Sequence, residues 1–341
     1  MRKSLLAWLL LACAGLAQAQ VELRDGYPQR YTVVQGDTLW DISARFLRSP
    51  WQWPELWHAN PQIANPDLIY PGDSLVLTYV DGQPRLTLER GASRGTIKLS
   101  PRVRTTPVAE AIPSIPLQSI NAFLLSNRIV DDAEDFTRAP YIVAGSAERV
   151  LSGIGDRIYA RGNFDGAPPA YDIFRQGKTY VDPDTEEVLG INADNIGGGD
   201  VVATEGDIAT LVLSRANQEV RLADRLFSSE ERAVNSTFFP SPPVAPVEGM
   251  IIDVPRGVTQ IGKYDVVTLN RGKRDGLAEG NVLAIFKAGE SVRDRVTGDQ
   301  VKIPDERAGL LMVFRTYEKL SYGLVLNANR SLTVKDKVRN P

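Results

Sequence analysis

The chain has 341 residues, a formal net charge of −3 and a hydrophobic fraction of 43%. That suffices for two or three cored domains, and the charge is too balanced for a nucleic-acid binder, whose footprint is a strongly basic domain. A single Cys and a single His argue against Cys–His nucleophiles, Ser-His-Asp hydrolases and His-rich zinc sites, so neither a metal nor a cofactor is expected.

In chain order, Arg2 and Lys3 precede an apolar run over 4–16, and Ala17-Gln18-Ala19 fits a small-x-small cleavage site. Residues 1–19 therefore read as a signal peptide, too short to span a bilayer. Leu10-Leu11-Ala12-Cys13 looks like a weak lipobox. Leu11 is an unusual residue for its slot and the preceding apolar run is short, so lipid anchoring at Cys13 is not expected.

Residues 30–78 contain four of the five Trp (Trp40, Trp51, Trp53, Trp57) and the sole His, His58. Tyr31-Thr32-Val33-Val34 is a short β-type run, Gly36-Asp37 signals a turn, and Thr38 can cap a helix carrying Leu39, Ile42, Ala44 and Phe46 on roughly one apolar face. Ser49-Pro50 breaks that helix. Pro54 opens a second one at its first turn, where a missing N–H is harmless, and Asn60-Pro61 ends it. Leu75-Val76-Leu77 reads as a second strand, giving the order strand, helix, helix, strand.

These residues resemble the LysM family of glycan-binding modules. The resemblance is carried by 31–43 (YTVVQGDTLWDIS), by Leu56-Trp57-His58-Ala59-Asn60-Pro61 and by 67–75 (DLIYPGDSL). It implies binding to β-1,4-linked N-acetylated amino-sugar chains, which for an exported bacterial-type protein means peptidoglycan glycan strands. The family's groove would be formed by Gly36, Asp37, Thr38 and Leu39 on one side and by Pro66, Asp67, Leu68, Ile69 and Tyr70 on the other. A Gly-bearing turn allows close backbone approach to acetamido groups, and Leu39 and Ile69 would meet the acetyl methyls. Trp40 and Trp57 lie at helical spacing and read as core. For Trp51 and Trp53, stacking on sugar and plain packing both remain open. His58 reads as a surface or capping residue. Asp37 and Asp67 read as turn residues rather than a glycosidase carboxylate pair.

Residues 80–116 carry five prolines and read as an extended connector, followed by a helix candidate at 117–125. A β-rich region with closely spaced turns then contains an internal echo. Ile173-Phe174-Arg175 parallels Ile285-Phe286-Lys287, Ala216-Asn217 parallels Ala328-Asn329, and Asp224-Arg225 parallels Asp336-Lys337, each 112 positions apart, while Leu211-Val212-Leu213 parallels Leu324-Val325-Leu326 with one residue inserted. Two copies of one β unit are expected, in domains 117–228 and 248–341, joined by a Pro-rich semi-extended linker at 229–247. Gly197-Gly198-Gly199 reads as a flexible loop, and Asp182, Asp184, Glu186 and Glu187 as a solvated turn. Residues 80–246 carry 17 basic and 23 acidic side chains, residues 247–341 carry 16 and 12. The second half's basic set includes Arg271, Lys273, Arg274, Lys335, Lys337 and Arg339.

The order of parts, with Ile97-Lys98-Leu99-Ser100-Pro101-Arg102-Val103-Arg104 and Ile112-Pro113-Ser114-Ile115-Pro116, resembles the secretin-associated type IV pilus protein family (TsaP). The C-terminal part is similar to a domain of flagellar outer-ring assembly proteins. The fold class expected is multidomain, a small α+β (βααβ) module followed by a mostly-β duplicated tail. The resemblance implies a periplasmic, non-enzymatic adaptor, peripheral to cell wall and outer membrane, that links peptidoglycan to an outer-membrane secretin and could oligomerise around the secretin ring. A LysM-targeted peptidoglycan hydrolase and a general wall-binding or flagellar-type structural protein are the alternatives.

Overall fold

The computed structural model describes residues 21–57, 69–80, 82–89, 113–116, 120, 123, 127–146, 151–164, 166, 168–229, 238–255, 260–289 and 291–341, the side chain of Trp57 excepted. The signal peptide, His58, Pro66, Asp67, Leu68, most of the connector and most of the 117–125 helix candidate lie outside them. The chain divides into two compact units, 1–115 and 116–341. Among the described residues no helix is long and apolar enough to cross a membrane.

The first unit holds β1 (Arg30–Thr32), α1 (Leu39–Phe46), a 3-10 turn (Pro50–Gln52), α2 (Trp53–Trp57), β2 (Ser74–Val80) and β3 (Gln83–Glu89). Thr38 caps α1, its hydroxyl accepting the Asp41 N–H. Leu39, Ile42 and Phe46 fall on one face of α1 and join Val33, Leu47, Trp53, Leu56, Ile69, Leu75 and Leu77 in the core. Trp53 is therefore a packing residue, and Trp40 is buried as well. The expected strand–helix–helix–strand order is present, with one addition. β3 lies inside the presumed connector and pairs antiparallel with β2 from Val80↔Gln83 to Ser74↔Glu89. The sheet order is β1-β2-β3, so Pro84 sits on an edge strand, where its missing N–H breaks no ladder. The prolines between 80 and 116 made the stretch read as a connector, but the alternation Leu86-Thr87-Leu88 earns one side of a sheet: Leu86 is in the core and Leu88 packs against it.

The second unit begins with β4 (Asn127–Val130) and α3 (Ala133–Arg138) and continues with β5 (Tyr141–Gly145), β6 (Leu151–Ser152), β7 (Arg157–Arg161), β8 (Ala170–Val181), β9 (Val188–Glu205), β10 (Ile208–Ala216), β11 (Val220–Arg221) and β12 (Arg225–Ser228). It ends with β13 (Glu248–Asp253), β14 (Val266–Leu269), β15 (Val282–Lys287), β16 (Ser291–Arg293), β17 (Gln300–Lys302), β18 (Glu306–Thr316), β19 (Ser321–Ala328) and β20 (Lys337–Arg339). The later set forms a closed barrel in the order β13-β14-β19-β18-β15-β20. The earlier set runs β5-β7-β10 and β5-β12-β8-β9, and the β9–β10 pairing closes it into a ring of the same order, with β4 added outside β9. The echo in the sequence falls on equivalent strands. Ile173 pairs with Leu226 and Ile285 with Val338.

The glycine run is not a loop. Gly197, Gly198 and Gly199 lie within β9, and Gly197 is paired with Ile173 on one side and Ala216 on the other. Gly309 holds the equivalent place in β18, between Ile285 and Ala328. A Cβ on Gly197 would stand 2.3 Å from the Arg215 carbonyl oxygen, and one on Gly309 2.4 Å from that of Asn327. The ladder shifts register beside both sites, so each glycine lets the strand fold over its neighbour where the ring closes.

Residues 116–341, both rings included, form one compact unit. The Pro-rich segment packs on the second ring: Ser241 donates its N–H to the Gly280 carbonyl, and Asn340 bonds the carbonyls of Pro243 and Ala245. Residues 230–237 of the linker lie outside the described residues. Phe123, in the helix candidate, packs edge-on to Tyr322 and Phe314. In the acidic turn between β8 and β9, Asp184 and Glu186 are exposed as expected, but Asp182 and Glu187 are not simply solvated. Asp182 is 3% exposed; its carboxylate accepts the N–H groups of Asp184 and Thr185, the Asn270 side-chain amide at 2.9 Å and the Arg271 guanidinium at 3.3 Å. Burial alone would push this carboxyl up, but those donors outweigh it and hold it below its ordinary value. Glu187 takes both terminal nitrogens of Arg274 at 2.8 Å and Lys319 at 2.9 Å, which bring its carboxyl from an ordinary 4.5 down to about 2.

Two outcomes follow from this packing. Gly309→Ala should destabilise residues 116–341 by about 2 kcal/mol, because backbone must move to admit the methyl, and urea unfolding will measure it. For Glu187 the folded carboxyl titrates below the unfolded one, so the ion pairs contribute fully above pH 4.5 and are lost as pH falls towards 2. The urea midpoint should decline across that window, and Glu187→Gln should remove that part of the decline.

Candidate glycan-binding site

Two turns of the same sequence lie side by side in the candidate site. Gly36-Asp37-Thr38-Leu39 and Gly72-Asp73-Ser74-Leu75 both read Gly-Asp-Thr/Ser-Leu. Gly36 has φ +94° and Gly72 φ +98°, in the left-handed region where a side chain is strained. In each turn the Asp carboxylate accepts the N–H three residues back, Val34 to Asp37 at 2.9 Å and Tyr70 to Asp73 at 3.0 Å. The Asp N–H returns the bond to the same residue's carbonyl. The turns are tied side by side, Val33 N–H to the Asp73 carbonyl at 2.9 Å and Gly72 N–H to the Val33 carbonyl at 2.8 Å. The Tyr31 hydroxyl donates to Asp37 at 2.8 Å, and the Arg45 guanidinium lies 4.7 Å over the Tyr31 ring. Burial, followed by the Asp37 carboxylate, raises the Tyr31 hydroxyl above its ordinary value.

A helix leaves its first N–H groups without intrahelical partners. In α1 that of Asp41 goes to the Thr38 hydroxyl, and the Ile42 N–H begins the helical ladder at the Thr38 carbonyl. Those of Leu39 and Trp40 go to a remote segment, to the carbonyls of Pro113 at 3.0 Å and Ser114 at 3.2 Å. Ser114 and Ile115 are fully buried.

Those residues expected in the groove that the structure describes fall into three groups. Gly36 is exposed at the head of the first turn and Tyr70 is half-buried in the second. Asp37, 9% exposed, and Thr38 are occupied in holding the turn and capping α1. Leu39 and Ile69, 1% and 0% exposed, are core side chains. The expectation that they meet acetyl methyls is corrected, because the apolar face of α1 is turned inward, and only their backbone remains to contact a ligand. Pro66, Asp67 and Leu68 lie outside the described residues. Asp37 acts as a turn residue, its carboxylate taken by two donors. Sequence reading missed Asp73, Tyr31 and the 113–115 segment. The repeated Gly-Asp-Thr/Ser-Leu could have revealed Asp73, whereas no local signal ties 113–115 to α1. Among the described residues no cluster of His, Cys, Asp or Glu could hold a metal ion.

Residues 31–78 match the LysM domain. The chain therefore contains a LysM domain, a module that binds peptidoglycan or chitin. The match runs from β1 to β2 and takes in both Gly-Asp turns; β3 and residues 113–115 lie beyond it. No curated protein matches the chain.

Asp37→Ala should cost the LysM domain about 1–3 kcal/mol, since it leaves the Val34 N–H and the Tyr31 hydroxyl without their acceptor. Thermal unfolding followed by Trp fluorescence will register the loss, and Thr38→Ala should cost about 1 kcal/mol through its cap.

Proposed function

We propose that this chain is an exported, non-enzymatic adaptor that holds peptidoglycan glycan strands with its LysM domain and an outer-membrane secretin of the type IV pilus machinery with residues 116–341. The LysM match, lying on the paired Gly-Asp turns, carries the first half of this reading. Its donors are backbone groups and its Asp37 carboxylate is committed to the turn, which suits holding a sugar rather than cleaving one. The second half rests on the order of parts and on the resemblance stated for the whole chain. Residues 116–341 offer ample surface for a standard interface, roughly 800 Å² per partner. The charge contrast between the halves of the tail is a poorer guide to a partner than the sequence suggests. Arg271 and Arg274 face Asp182 and Glu187 of the first ring, and Lys337 and Arg339 both reach Asp305. A periplasmic position peripheral to wall and outer membrane follows from the same reading.

The test separates the two halves. The full chain should pellet with purified sacculi, and a chain lacking 31–78 should stay in the supernatant; equal pelleting would defeat wall binding through the LysM domain. From outer-membrane extract, the chain lacking 31–78 should still capture the secretin. Capture that depends on 31–78 would reassign the partner surface.

A further inference from the structure

We propose that residues 113–115 are an intramolecular strap that occupies the lip of the glycan site and must lift before a sugar can use the first amides of α1. The inference rests on the glycan-binding reading of the LysM domain. The N–H groups of Leu39 and Trp40 are the donors that adjoin the Gly36 turn, and an acetamido carbonyl needs donors of this kind. Both are already given to carbonyls of the strap, at 3.0 and 3.2 Å. The strap thus presents peptide C=O groups where a ligand would present an amide C=O, which makes it a chemical stand-in for the sugar's N-acetyl group.

Three further features argue for a seated but separable occupant. Ser114 and Ile115 are completely buried, so the segment is anchored and not merely passing by. Among the described residues, the apolar cluster from Val33 through Leu86 includes none of 113–115, and the LysM match ends at residue 78. The domain can therefore keep its core while the strap leaves. Pro113 and Pro116 bracket the strap; each fixes its own φ, and Pro116 biases Ile115 towards extended backbone, so little conformational freedom is lost on seating. When a binding-competent state is only fractionally populated, apparent affinity falls by that fraction. The strap would thus hold the intact chain at reduced affinity.

The experiment uses the full chain and a soluble hexamer of β-1,4-linked N-acetylglucosamine, titrated calorimetrically. Ile115→Asp, which puts a charge in the buried anchor, and the triple variant Pro113→Gly, Ser114→Gly, Ile115→Gly should each bind about tenfold more tightly than the parent chain. Unchanged melting of the LysM domain verifies that they fold, and should Ile115→Asp not fold, the triple variant decides. Hydrogen exchange on the unmodified chain gives an independent readout: hexamer should deprotect amides around 114–115 while those of 39–41 stay protected. Equal or weaker binding by the folded variants, or a strap that stays protected under saturating hexamer, overturns the inference while leaving glycan binding intact. If neither the parent chain nor the variants bind hexamer or sacculi, the glycan reading fails, and the strap inference with it.

Discussion

An aspartate carboxylate that accepts the backbone N–H three residues before it, across a turn whose third residue has positive φ, underlies most of the architecture. It shapes both turns of the glycan site, at Asp37 and Asp73. It recurs in the tail where Asp156 accepts from Gly153, Asp224 from Arg221, Asp265 from Gly262 and Asp336 from Thr333. Each of these turns leads into a strand of a ring or, in the LysM domain, into α1 or β2. The residue before the Asp is Gly36, Gly72 or Gly155 in three cases, but Ala223, Tyr264 and Lys335 in the others, with φ between 69° and 77°. A non-glycine residue there carries strain of order 1 kcal/mol, which the carboxylate's hydrogen bond offsets.

The same device sets the duplication in the tail. Asp224 and Asp336 precede β12 and β20, Asp156 and Asp265 precede β7 and β14, and the rings share one strand order. Closure then depends on glycines at which neighbouring backbones come too near for a side chain. The two rings meet through the β8–β9 turn, whose acids take the cations after β14. A buried carboxylate such as Asp182 is stable only because its oxygens are all but saturated by donors, and losing one partner would strand the charge. Much of the opposite charge of the two halves is spent on this internal contact, so it does not mark a docking surface.

In the LysM domain the paired turns present backbone rather than side chains. Backbone donors do not titrate and cannot be lost by a single side-chain exchange, which suits a site for repetitive N-acetylated sugars. The unpaired amides at the start of α1 are an obligation of any helix. Here Thr38 meets part of it and a segment from beyond the domain meets the rest, which places a competitor beside the ligand's own donors.

Much of this was legible in the residues themselves. Gly-Asp turns, the Thr38 cap and the 3.6-residue spacing of Leu39, Ile42 and Phe46 are local patterns, and they suffice for the LysM domain because each is decided within a few residues. The 112-residue echo likewise pointed to a repeated β unit. Other features depend on partners distant in the chain. Gly197-Gly198-Gly199 reads as a loop until Arg215 and Val212 are placed against it, and Asp182 and Glu187 read as solvated until Arg271 and Arg274, almost ninety residues later, arrive beside them. Leu39 and Ile69 could face ligand or core, and only the packed domain chose the core, because burying both apolar side chains is worth more than leaving them for an intermittent ligand. Residues 113–115 carry no local sign that their carbonyls cap a helix more than seventy residues earlier, since a carbonyl is common to every residue and only the tertiary fold decides which amide it meets.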